Sequence, residues 1–213
     1  MREKNRGRYP TEIIQKIVRP KYPGPTPSFS LIHIYKTLVV LGSEGQVGRK
    51  SLSRKISLGE GATRTIIEHL KREGMIKTSK GGCSLLKKGE KIFRLLSKKI
   101  PAVSDLAIKG ALPSKHVTAA LVKNAAQKIK MGIEQRDAAV RAGAEGAITL
   151  VFRGGKYEIP GEPFGVDLNS LFAELSKKFS LEDEDVVIIA WADDRMLAER
   201  GAFVSALETA GLI

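Results

Sequence analysis

The residues best suited to chemistry cluster between positions 49 and 80. Arg64 stands between Thr63 and Thr65. An arginine fork matches the two acceptors on the major-groove edge of guanine, and a threonine can hydrogen-bond a base or touch a thymine methyl. Around this triplet, Arg49, Lys50, Arg54, Lys71, Arg72 and Lys80 are cations of the kind that neutralise phosphates. Double-stranded DNA is therefore the expected partner of these nine residues, with Arg64 as the principal reader of sequence. A surface for another protein is the plainer alternative for the same charges.

Residues 46–86 supply elements that can position such side chains. A short helix is expected from about Arg49 to Ile56, with Leu52 and Ile56 four apart on one face. Ser57, Leu58 and Gly59 form a turn, and a second helix from about Glu60 to Glu73 puts Ile66, Ile67 and Leu70 inward. Arg64, Thr65, Glu68 and Arg72 then face outward, with Glu68 placed to pair with Lys71, Arg72 or Arg64. Gly74 stops that helix. Met75 to Ser79 alternate as a half-buried strand does, Lys80-Gly81-Gly82 turns the chain, and Cys83 to Leu86 returns. Helix, turn, helix and two-stranded wing make a winged helix, whose second helix enters the major groove.

Charge is distributed to match. Residues 1–100 hold 23 Lys+Arg against 7 Asp+Glu, whereas residues 101–213 hold 13 against 16. A basic half joined to a mildly acidic half implies two jobs, and the basic one suits a polyanion. No run approaches the roughly 18 apolar residues of a membrane span, and no apolar signal core follows MREKNRGR. A cytoplasmic protein with no membrane partner is expected. The single cysteine, Cys83, excludes an intrachain disulfide, and with His33, His69 and His116 it forms no metal-binding spacing.

The expected fold class is α+β and multidomain: an N-terminal winged helix-turn-helix followed by a smaller α/β domain with a mixed sheet. Residues 1–27 divide into a basic arm, a short helix over Thr11 to Val18, and the spacer RPKYPGPTP, stiff with four prolines in nine residues. The DNA-binding domain spans 28–100, its first helix over SLIHIYKTLVVL capped by Ser28 or Ser30, with His33 at its surface or core edge. GEKIFRLL, Gly89 to Leu96, resumes a helical period. From Ala102 the texture becomes α/β. Strands are expected over Val117 to Val122, Ala147 to Phe152, Lys156 to Ile159 and Val186 to Trp191. Helices are expected over Ile133 to Ala142, Leu168 to Phe179 and Met196 to Ala210.

Such a second domain, 102–213, is suited to binding a small-molecule effector, to homodimerisation, or to both. Its candidate ligand groups are Arg136, Asp137, Arg153 and Asp193, near element ends where α/β ligands sit. Ordinary surface ion pairs are the plainer reading. Asp193-Asp194 could hold Mg²⁺, but adjacent acids after a strand more often cap a helix. No phosphate loop with lysine, no G-x-S-x-G and no His/Asp/Ser constellation is present. No enzyme, cofactor or metal is therefore expected. The alternatives left open are a non-specific RNA or chromatin adaptor and an enzyme with a metal- or nucleotide-binding second domain.

The stretch GRKSLSRKISLGEGATRTIIEHLKREGMIKTSKGGCSLLKKGEKIFRLL resembles the winged-helix domains of bacterial sugar-responsive repressors of the central glycolytic regulator type. GIEQRDAAVRAGAEGAITLVFRGGKYEIPG is similar to an uncharacterised C-terminal domain found behind winged helices in archaeal proteins. Together the resemblances imply an archaeal transcriptional regulator. Gly59 and Gly61 depart from ordinary repressor turns.

Overall fold

A computed structural model describes residues 29–108, 112–161 and 169–213. The basic arm, the helix expected over 11–18 and the proline-rich spacer lie outside the described residues. The chain divides into two compact units, Met1–Ser97 and Lys98–Ile213.

In the first unit, helix α1 (Leu31–Glu44) buries Ile32, Ile34, Tyr35, Leu38 and Leu41. His33, expected at the surface or core edge, is buried, because its Nδ1 accepts a hydrogen bond from the Ser30 N–H at 3.1 Å. It occupies the third helical position, where a capping box usually places Glu or Gln. Helix α2 (Arg49–Lys55) ends at Ile56, which with Leu52 is fully buried. Ser57 adopts φ 55° in the turn. Helix α3 (Glu60–Arg72) follows, burying Ile66, Ile67 and Leu70 as its period requires.

Strands β1 (Ile76–Ser79) and β2 (Gly82–Leu85) pair antiparallel around Lys80-Gly81. The expected alternation fails at the start of β1, where Met75 and Ile76 are both buried. Gly74, at φ 67°, turns the chain under α3 so that the Met75 N–H donates to the Leu70 carbonyl at 2.9 Å. Val47 adds a bridge on the other edge of β2, exchanging hydrogen bonds with Cys83 at 2.8 and 2.9 Å. Helix α4 (Lys87–Lys99) is longer than GEKIFRLL and buries Gly89, Ile92 and Leu96.

The second unit is built on a five-stranded sheet of order β3-β4-β7-β5-β6. The strands are β3 (Ala102–Asp105), β4 (His116–Val122), β5 (Gly146–Arg153), β6 (Lys156–Glu158) and β7 (Asp185–Ala192). Helices α5 (Ile133–Arg141), α6 (Asn169–Lys178) and α7 (Arg195–Ala210) accompany them. The α+β class expected is present, although this unit is the longer of the two rather than the smaller. The sheet is antiparallel at each described pairing rather than mixed. The reason is topological: β4 and β5 run the same way, but β7 inserts between them and opposes both.

Because strand side chains alternate between faces, Val187, Ile189 and Trp191 of β7 share one face with Ile148 and Leu150 of β5. Leu171, Leu175 and Phe179 complete the core there. The opposite face presents Ile188 between Ala120 and Thr149, and Ala190 between Thr118 and Ala147. Alanines and Gly201 on α7 allow close approach: a Cβ at Gly201 would stand 2.6 Å from the Ala144 methyl.

Candidate nucleic-acid interface

The turn before α3 fixes where that helix begins. Ser53 Oγ donates to the Leu58 carbonyl at 2.6 Å, and the Leu58 N–H returns a bond to the Ser53 carbonyl at 3.1 Å. Thr63 is fully buried, its hydroxyl donating to the Gly59 carbonyl at 3.0 Å. It therefore holds the turn and presents nothing to a base, which corrects the expectation for that residue. Thr65 is exposed and donates back to the Gly61 carbonyl at 3.2 Å.

The wing is held by backbone against the segment before α2. Gly82 sits at φ 127°, and a Cβ on it would meet the Val47 carbonyl oxygen at 2.4 Å. Gln46 Nε2 donates to Ser79 Oγ, tying the wing tip to the segment before α2. Sequence reasoning missed Gln46 because its partner lies 33 positions away.

Between the first half of α3 and the wing runs a groove of about 700 Å³. Arg49, Lys50, Arg64 and Lys80 line it, together with Glu60, Glu68, Thr78 and Ser79. Arg64 is exposed, on the same helical face as Glu60 and Glu68. Arg49 Nη2 is 4.0 Å from Glu60 Oε2, an exposed pair worth little in water, so the guanidinium is readily released to a phosphate. Glu68 forms none of its expected ion pairs among the described residues and faces the groove instead. A carboxylate in that position can accept from a cytosine amino group and repels phosphate, so it favours a base edge over the backbone.

Arg54 is exposed on α2 outside the groove lining, and Lys71 and Arg72 are exposed in the last turn of α3, also outside it. The groove thus gathers four of the nine expected DNA contacts. Cys83 is buried at its floor, where burial raises its thiol pKa and Arg49 opposes the rise.

The four candidate effector residues are not gathered at one place. Arg136 Nη2 lies 3.4 Å from Asp137 Oδ1, an exposed neighbouring pair. Arg153 is engaged by Glu184 at 2.6 Å and Glu158 at 3.5 Å. The Asp193 N–H donates to Glu145 Oε1 at 2.9 Å. Since Phe152 pairs with Asp185 and Gly146 with Trp191, Arg153 and Asp193 occupy opposite ends of the sheet. Asp194 caps α7, accepting from the Met196 and Leu197 N–H groups at 2.8 and 3.0 Å. No cluster of metal-binding side chains occurs among the described residues, and no described helix is long and apolar enough to cross a membrane.

Comparison with known proteins agrees with the geometry of the first unit. Residues 32–100 match the CggR N-terminal DNA binding domain, and residues 113–209 match a domain of unknown function, DUF4443. No curated protein matches the chain. A solved structure of a hypothetical protein from Pyrococcus horikoshii OT3 is similar at 29% identity, with a TM-score of 0.59 over 86% of this chain and 91% of that one. The match over residues 32–100, spanning α2, α3 and the wing, supports a DNA-binding regulator whose partner is double-stranded DNA.

Proposed function

We propose that this chain is a sequence-specific transcriptional regulator of archaeal type, binding double-stranded DNA with α3 in the major groove. Its second unit would sense a small-molecule effector and join two copies. The observation that carries the reading is the groove in which Arg64, Lys80, Arg49 and Lys50 converge around the start of α3 and the wing tip. That arrangement supports the reading, because an arginine can pair bidentately with a guanine edge while lysines beside it meet phosphates. A pair of domains is favoured because one winged helix reads few base pairs, and paired half-sites are the usual solution.

Selecting fragments bound by the full chain from genomic DNA yields a site and its symmetry together. On that site Arg64→Ala is expected to lose about 1 to 3 kcal/mol and to relax the preference at one base pair. Specific binding should exceed random duplex about a thousandfold or more at fixed salt. Uniform loss on all sequences, or no such preference, overturns the sequence-specific reading in favour of an adaptor that binds by charge.

A further inference from the structure

A second cavity, of about 190 Å³, lies where the N-terminus of α5 meets β5. Ile133, Ala147, Ile159 and Pro160 give it apolar walls, and among the described residues Arg136 is its one charged lining residue and Thr149 supplies its one hydroxyl. Thr149 is only 2% exposed, yet its Oγ1 has no hydrogen-bond partner among the described residues. Such a buried polar atom is uncommon, because the lost hydration is uncompensated. The hydroxyl faces the helix start: a Cβ on Gly132 would stand 3.5 Å from Oγ1. Gly132 caps α5 at φ 75°, and no side chain caps the first-turn N–H groups.

Uncapped N–H donors, the positive end of a helix, a guanidinium and an unpartnered hydroxyl all favour an anion. The apolar walls and the size restrict which anion. Drug-sized ligands occupy pockets of about 300 to 1,000 Å³, and this cavity is smaller, equivalent to about six liquid waters. We propose that it binds a small aliphatic carboxylate. The carboxylate accepts from the first turn of α5, from Arg136 and from Thr149, while a short branched body packs on Ile133, Ile159 and Pro160. Asp137, which shares the Arg136 guanidinium, yields it to the ligand. The inference deepens the effector reading and rests on it for regulation, not for binding.

Calorimetry on the full chain tests it with isovalerate and 2-oxoisovalerate against isovaleramide. The acids are expected to bind at least about tenfold more tightly than the amide, and Arg136→Ala to weaken them by about tenfold or more. Thr149→Val should weaken them by about fivefold without lowering the melting temperature, since it removes an unpartnered hydroxyl. Failure of both acids to bind, equal binding of the amide, indifference to both substitutions, or tighter binding of inorganic phosphate overturns the proposal. DNA affinity measured with the acid bound separates the two readings. A bound acid that leaves DNA affinity unchanged upholds the site and sinks its use as an effector site. Regulation by another metabolite with no acid binding sinks the site alone.

Discussion

Thr63 Oγ1 donates to the Gly59 carbonyl at 3.0 Å, joining the first turn of α3 to the turn before it. A threonine beside an exposed arginine on α3 thus serves the backbone. Thr63→Val keeps the shape and loses the bond. It is expected to cost about 1 kcal/mol in a denaturant melt and to leave the base preference in site selection unchanged. A changed preference would return Thr63 to the reading surface.

The wing depends on one position without a side chain. At Gly82 a methyl would meet the Val47 carbonyl oxygen, and φ 127° is a conformation that side chains rarely adopt. Gly82→Ala should cost about 2 to 4 kcal/mol from strain and overpacking together. Because the wing carries Lys80, the variant should also lose affinity equally for every DNA sequence. Filter binding on specific and random duplexes distinguishes this from the base-dependent loss expected at Arg64.

Much of this architecture was legible in the sequence, for physical reasons that differ by element. Ile66, Ile67 and Leu70 recur at helical spacing, and VVIIAW is a short, β-branched apolar run of the kind a strand buried on both faces carries. β3, Ala102–Asp105, escaped because four half-buried residues carry no period. The depth of Thr63 escaped because a threonine in a turn-proximal position reads the same whether it faces solvent or its own backbone. The separation of Arg153 from Asp193 follows from β7 inserting between β4 and β5, and strand order is a long-range property that local pattern does not encode. The hydroxyl of Thr149 sits in a strand that reads as wholly buried. Only the approach of α5 makes it part of a cavity.

Stability of the first unit should depend on pH through His33. Burial, aided by the Lys36 charge, lowers its pKa from the ordinary 6.5. The unfolded chain then takes up the proton first. The contribution is complete above pH 6.5 and is lost as pH falls below it toward the folded value. The geometry agrees in sign, since Nδ1 needs its lone pair to accept the Ser30 N–H at 3.1 Å. His33→Gln retains an acceptor that does not titrate, so it should flatten the dependence of the melting temperature between about pH 5 and 7. An unaltered slope in that variant would assign the effect to other groups.

Two ion pairs at the same end of the sheet should behave very differently. Asp185 is 1% exposed and accepts from Lys123 Nζ at 2.6 Å, the Glu182 N–H at 2.8 Å and the Asn124 N–H at 3.0 Å. Burial works against the Lys123 ammonium, but its bonds to Asp185 and Glu182 outweigh that and raise its pKa. The carboxylate also anchors two turns whose Asn124 and Glu184 have φ of 48° and 70°. Asp185→Ala leaves Lys123 with only the exposed Glu182 and frees both N–H groups, so a loss of about 2 to 4 kcal/mol is expected. Arg153 and Glu184 stand equally close, at 2.6 Å, but both are solvent-exposed, and water screens the pair. Arg153→Ala should leave the melting temperature nearly unchanged. Since Glu184 and Glu158 already occupy its guanidinium, it should also leave carboxylate binding at the α5 cavity intact. A large stability loss for Arg153→Ala would mean that the exposed pair, rather than buried Asp185, holds this end of the sheet.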